Sequence, residues 1–205
     1  MNNLILPGLL LVAISIGLHC PIATGFLADL RRRYRTDYPM IEQSIMEGRS
    51  SETIALVRDG KLDAAFVVGT VQAPDCHSRV LWSEQFIIAM PAGHPLAEQQ
   101  AITWQNLASE NFLVRHGGTG PQVFEHIVRR ISEKKRSPHI HRCDVGRDTL
   151  IGMVAAGDGV TLTSEATTSV SFPGVVFSPI ADETDHAQFS AVWSPYNRND
   201  VSPYR

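Results

Sequence analysis

What most constrains this chain is the alternation, within its first 70 residues, of short mostly apolar runs and stretches patterned at a helical period. Leu9 to Gly17 is one such run, Leu62 to Val68 is another, and Met40 to Met46, with apolar residues at four of its seven positions, also reads as a strand. Runs of this length, rich in Val and Ile, suit strands buried on both faces. Between them, Ile22, Phe26, Leu30 and Tyr34 recur every four residues, which predicts a helix starting near Pro21 with one apolar stripe. Arg31, Arg32, Arg33 and Arg35 crowd its last turns, where cations complement the helix dipole and face water, and Pro39 stops it. Glu47-Gly48 makes a turn, Ser50 or Ser51 is the expected cap of a second helix through Ile54, Leu56 and Val57, and Gly60 ends that helix in a left-handed backbone. Strand, helix, strand, helix, strand spells an open α/β sheet with parallel strands.

The rest of the chain repeats the grammar without repeating the sequence. Arg79 to Met90 is one long strand-like stretch, and Thr103 is placed to cap a short helix carrying Trp104 and Leu107. Asn111 to Val114 is a strand, and the loop Arg115 to Pro121 opens an amphipathic helix through Phe124, Ile127, Val128 and Ile131. Ile140 to Val145 is a strand, and Asp148 or Thr149 begins a helix that Gly157 and Gly159 end before the strand Val160 to Thr163. Two late runs, Gly174 to Ile180 and Phe189 to Trp193, close a second α/β unit and can return to the first.

The run Leu4 to Leu18 also invites a reading as an export signal. Met1-Asn2-Asn3 carries no Lys or Arg, Pro7, Gly8 and Ser15 interrupt the run, and it falls short of the roughly 20 residues of a membrane span. A buried first strand is therefore expected. With 43% hydrophobic residues, 19% charged residues and a formal net charge of -3, the composition is that of a globular protein with no global attraction to nucleic acid or anionic membrane. Three widely spaced cysteines, Cys20, Cys76 and Cys143, make no disulfide framework and suit a reducing cytoplasm.

Several motifs, taken in order, resemble the regulatory domain of LysR-type transcriptional regulators, a bacterial family. Thr24-Gly25-Phe26-Leu27-Ala28-Asp29-Leu30, Tyr38-Pro39 and Glu47-Gly48 resemble its start. Leu56-Val57-Arg58-Asp59-Gly60-Lys61-Leu62-Asp63-Ala64-Ala65-Phe66 resembles its most recognisable motif. Met90-Pro91-Ala92-Gly93-His94-Pro95-Leu96-Ala97 resembles the entry to its second lobe, and Val154 to Leu162 its returning helix-glycine-strand. The resemblance spans about residues 8 to 195. It implies two Rossmann-like α/β lobes joined by two crossing strands, a type 2 periplasmic-binding-protein-like fold, with lobe I formed by residues 1–88 plus 189–205 and lobe II by 89–188. It also implies a small-molecule effector in the interlobe cleft, a homodimer or tetramer, and a cytoplasmic location. Members contact DNA through an N-terminal winged helix-turn-helix that this sequence does not contain, so DNA binding is not assigned to this polypeptide. An exported solute-binding protein of a transporter shares the fold and is the alternative.

Ligands of open α/β folds sit beyond the carboxyl ends of strands, against helix N-termini. Matched to the family, the loops obeying that rule nominate His19, Cys20, Arg49, Ser50, Gly69, Arg115, His116, Gly117, Thr119, Arg147 and Thr163 as ligand-binding residues. In Arg115-His116-Gly117-Gly118-Thr119-Gly120 the glycines let backbone N–H groups approach an anion, and Arg115 offers a bidentate fork, so a carboxylate-bearing effector is expected. A plain flexible connector is the competing reading of that loop. Cys20 is read as an inert thiol lining the cleft rather than a redox switch, since Cys143 is the one cysteine in the expected second lobe. His139, His141 and Cys143 share a strand face, a placement open to zinc ligands, but no fourth ligand is evident and no metal or other cofactor is expected. The chain holds no Gly-x-Ser-x-Gly, His-Glu-x-x-His or Gly-x-x-x-x-Gly-Lys motif, and no enzyme activity is expected.

Overall fold

The structure, a computed structural model, describes residues 13–18 and 25–196. Its first half is built on parallel strands β1 (Ala13–Leu18), β2 (Glu42–Glu47) and β3 (Ala64–Val68), with helices α1 (Phe26–Asp37) and α2 (Ser50–Arg58) between them. β1 lies between β2 and β3, and its carboxyl half is its buried half. The edge strand β2 is mostly exposed, as its sparse apolar content requires.

One strand ties the halves together. β4 (His77–Pro91) pairs antiparallel with β9 (His186–Trp193) over His77–Gln85. From Phe86 onward the same strand pairs with β7 (Thr161–Ser164) and β8 (Val175–Pro179). Phe112 bridges Val160 in parallel, so β5 (Asn111–Arg115) and its parallel partner β6 (His139–Cys143) continue the second sheet. Helices α3 (Trp104–Leu107), α4 (Gly120–Glu133) and α5 (Arg147–Ala156) cover it. The chain returns through 180–185 into β9, which pairs with β3 and closes the first sheet. This is the α/β fold expected, with β4 and the segment leading into β9 as its two crossings.

Each half has its own core. Ile16, Leu18, Leu27 and Phe66 pack together in the first, with Val57, Val67 and Val192 on the other face of its sheet. Trp104, Phe112, Ile127 and Ile131 fill the second. At about 1.5–3 kcal/mol per buried large apolar side chain, these residues supply the main drive to fold.

Four local expectations need adjusting. α1 begins at Phe26, after Gly25 at φ +79°; Pro21 and Ile22 lie outside the described residues. Its inward residue is Leu27, at 1% exposure, while Phe26 and Leu30 of the expected stripe are 42% and 36% exposed. The four-residue spacing was real, but the helix is turned so that the residue beside the stripe meets Ile16 and Phe66. α2 is capped at Arg49, whose backbone N–H donates to the Glu52 carboxylate at 3.2 Å, not by a serine hydroxyl. α5 starts one residue early, at Arg147. Thr103 does cap α3, in a reciprocal box with Asn106.

Candidate functional site

A cleft of about 550 Å³ opens where the two sheets meet at β4, a size suited to a small metabolite. Its walls differ in kind. The first half contributes Leu18, Ile45, Val68 and Phe189, all apolar, together with Glu47. The second half contributes Arg115, Thr119, Arg147, Thr161, Thr163 and Thr167, and the N-terminal turns of α4 and α5 point into the space. Helix N-termini carry unpaired N–H groups and the positive end of the dipole, which favours a negative ligand group there.

Arg115 ends β5 half-buried against this cleft. Its Nη2 donates to Thr119 Oγ1 at 3.4 Å, and among the described residues it forms no ion pair with a carboxylate. Burial first, and then the nearby Arg147 charge, pulls its pKa below the usual arginine value, while Glu47 and Asp148 oppose that shift. A guanidinium stays charged in spite of such a shift, so Arg115 presents a positive charge to the cleft. Arg147 Nε lies 3.2 Å from the exposed Asp148 carboxylate.

Glycines hold the loop open for this arrangement. Gly118 has φ +62°, and a Cβ there would lie 2.6 Å from Arg115 Nη2. At Gly120 a Cβ would lie 1.8 Å from the Arg115 carbonyl oxygen, so only glycine lets α4 start against the end of β5. At these two glycines the loop packs closely against Arg115.

Of the residues nominated from sequence, Arg115, Thr119, Arg147 and Thr163 line the cleft together. Thr163 Oγ1 shares a 2.7 Å hydrogen bond with Thr167 Oγ1. Arg49, Ser50, Gly69, His116 and Gly117 do not line it. Arg49 is exposed at the start of α2. The Gly69 carbonyl instead accepts from Ser190 Oγ at 2.7 Å, and the His116 N–H donates to the Cys143 carbonyl at 2.8 Å, pinning β5 to β6. His19 and Cys20 lie outside the described residues. Sequence reasoning missed Glu47, Phe86, Thr161 and Thr167; the position of Glu47 at the carboxyl end of a parallel strand was the available signal.

His139 and His141 are exposed on β6 and Cys143 is buried, with burial raising its thiol pKa. Among the described residues no three His, Cys, Asp or Glu side chains gather into a metal-binding group.

The LysR substrate binding domain family matches residues 13–200 of the chain. The uncharacterized HTH-type transcriptional regulator YnfL of Escherichia coli K12 is 27% identical over 172 residues, covering 83% of this chain and 58% of YnfL. The HTH-type transcriptional regulator CatR of Pseudomonas putida is 25% identical over 177 residues, covering 86% of this chain and 60% of CatR. The chain thus spans about three-fifths of the length of these relatives. Among solved structures, the effector binding domain of BenM with its effector benzoate superposes with a TM-score of 0.79 at 22% identity, covering 89% of this chain and 83% of that one. That likeness is one of fold, with the same architecture of two α/β units joined at shared strands. With a family match running through nearly the whole described sequence, the chain belongs to the LysR substrate binding domain family.

Proposed function

We propose that this chain is the effector-binding and dimerisation domain of a LysR-type transcriptional regulator, and that its cleft takes a small carboxylate-bearing metabolite. The observation that carries the reading is Arg115: a half-buried guanidinium facing the cleft, seated by two glycines, with no carboxylate paired to it among the described residues. A bound carboxylate would supply the missing partner through charge-assisted hydrogen bonds. The benzoate named as the effector of BenM is itself a carboxylate, which supports the class of ligand.

The lobes are assigned as residues 1–88 plus 189–205 and 89–188, a division supported by the change of partners on β4 between Gln85 and Phe86. Effector touching both walls would favour a closed arrangement only through its higher affinity for that state. The named relatives are transcriptional regulators, which favours a cytoplasmic sensor over an exported solute-binding protein or an enzyme. Homodimers or tetramers, with DNA held by a winged helix-turn-helix, complete the assignment. No described helix is long and apolar enough to cross a membrane.

Calorimetric titration of the native, Arg115→Ala and Arg147→Ala proteins with benzoate and short aliphatic carboxylates tests the site. Binding should weaken about ten- to hundredfold in Arg115→Ala, the loss expected of a hydrogen bond to a charged group. Equal affinity in all three proteins would refute it.

A further inference from the structure

The charges lining the cleft are divided between its walls. Among the described residues, both cations lining the cleft, Arg115 and Arg147, belong to the second half, and the Arg147 charge is partly answered by Asp148 beside it. Among the same residues the first half presents one charged residue to the cleft, Glu47, beside Leu18, Ile45, Val68 and Phe189. Glu47 stands at the carboxyl end of β2, in register with Leu18, and forms no ion pair among the described residues. It is near enough across the gap for its charge to favour the protonated state of Arg115.

A ligand bound by a carboxylate alone would therefore bring its negative charge toward Arg115 with Glu47 facing it from the other wall. Like charges facing one another across the cleft disfavour one another. A cationic group at the opposite end of the ligand reverses the sign of that interaction.

Resting on the carboxylate reading above, we infer that the effector is an amino-carboxylate, its carboxylate on Arg115 and its ammonium on Glu47, with its apolar body against Ile45 and Phe189. Glu47 is then the residue that sets ligand specificity, and its salt link to the ligand joins one half of the protein to the other. Such a ligand bridges the cleft by charge at both ends, so it prefers the state in which the walls approach.

Matched probe pairs with the two charges at opposite ends separate this inference from the simpler one: 4-aminobutanoate with butanoate, 6-aminohexanoate with hexanoate, and 4-(aminomethyl)benzoate with 4-methylbenzoate. Each is titrated into the native protein and into the Glu47→Gln, Glu47→Ala and Arg115→Ala variants, with circular dichroism and melting midpoint as checks of folding. In at least one pair the ammonium-bearing member should bind the native protein about tenfold or more tightly than its partner, a factor set by one added charge-assisted contact. Both Glu47 variants should shrink that ratio to about threefold or less, by raising affinity for the plain carboxylate as well as lowering it for the amino-carboxylate. Arg115→Ala should weaken both members. If the plain carboxylates bind as tightly as their amino partners in every pair, or the ratio is unchanged in both Glu47 variants, the amino-carboxylate is ruled out, while loss of binding in Arg115→Ala would still uphold the carboxylate site. If no member of any pair binds the native protein, both readings fall.

Discussion

His126 donates from Nε2 to the Glu183 carboxylate at 2.6 Å, joining α4 to the segment that carries the chain back from the second half to the first. Both side chains are nearly buried, at 7% and 3% exposure. The His126 tautomer follows from its other neighbour: Arg129 only donates, so Nδ1 must accept from it, at 3.0 Å, and the proton resides on Nε2. Trp104 Nε1 donates to the same carboxylate at 3.0 Å, and Arg130 pairs with it as well. Asp182, one residue earlier, accepts from the Trp104 backbone N–H at 2.8 Å and from Lys134 Nζ at 2.9 Å. The return crossing is thus clamped to α3 and α4, while α4 presents its opposite end to the cleft. Phe86, which lines the cleft, stacks on the His126 ring with 4.2 Å between centroids.

Replacing Glu183 with glutamine should be among the costliest single changes in the second half. It removes the buried carboxylate shared by Arg130, His126 and Trp104 and leaves the mostly buried Arg130 guanidinium with only the more exposed Glu133 and Asp185 as partners. Breaking a buried pair from one side costs about 3 kcal/mol or more. For a chain of this size that is a fall of roughly 6–12 °C in melting midpoint. Thermal unfolding followed by circular dichroism checks it, and a shift of a degree or less would mean that the pair is not holding the crossing.

Stability should decline as the solution is acidified from neutrality, and His126 should start the decline. Burial first, against the opposing pull of Glu183, lowers the His126 pKa below the ordinary histidine value. The unfolded chain therefore takes up this proton more readily than the folded one, and stability is lost as pH falls below the ordinary value of about 6.5 toward the lowered folded value. Burial alone would raise the Glu183 and Asp182 carboxyls, but hydrogen bonds from Arg130 and His126 to one, and from the Trp104 backbone and Lys134 to the other, leave both lowered. Their contribution is present above the usual carboxylate range and disappears at still lower pH. Melting midpoints measured from pH 8 to 5 should fall less steeply in His126→Gln than in the native protein; parallel curves would contradict the assignment.

Gly118→Ala and Gly120→Ala should fail in different ways. At Gly118 the obstructed atoms are the tip of the Arg115 side chain, which can swing aside. The fold should survive at a cost of about 1 kcal/mol for a left-handed alanine, while carboxylate binding is lost with the displaced guanidinium. At Gly120 the obstruction is the Arg115 carbonyl, which belongs to β5 and cannot yield without moving the strand. About 3 kcal/mol of destabilisation is expected there, as for overpacking of a close backbone contact. Melting curves and carboxylate titrations on both variants distinguish the two. Binding retained in Gly118→Ala would show that the loop does not seat Arg115.

Much of this architecture was written in short-range chemistry. The Thr103 cap, the end of α5 at Gly157 with φ +92°, and the strand Ala64–Val68 all depend on residues within a few positions of one another. So does the Arg115–Gly120 loop, whose glycines marked it before any strand was paired. The rotation of α1 was different, because the choice between Leu27 and Phe26 as the buried residue depends on where Ile16 and Phe66 lie. The clamp on Glu183 was likewise invisible, since its partners Trp104, His126 and Arg130 are 79, 57 and 53 residues away.

By itself the sequence determined the order of strands and helices, most of the breaks between them, and the family to which that order belongs, because backbone preference and apolar periodicity act over one or two turns of chain. Tertiary structure alone decided that Glu47 and Arg115 face one another across a cleft, that Arg49 and Gly69 stand apart from it, and that one carboxylate takes hydrogen bonds from four residues at the return crossing. Those relations exist only once β4 has taken partners from both halves, and pairing between strands far apart in the chain is settled by packing, which no local pattern of residues contains.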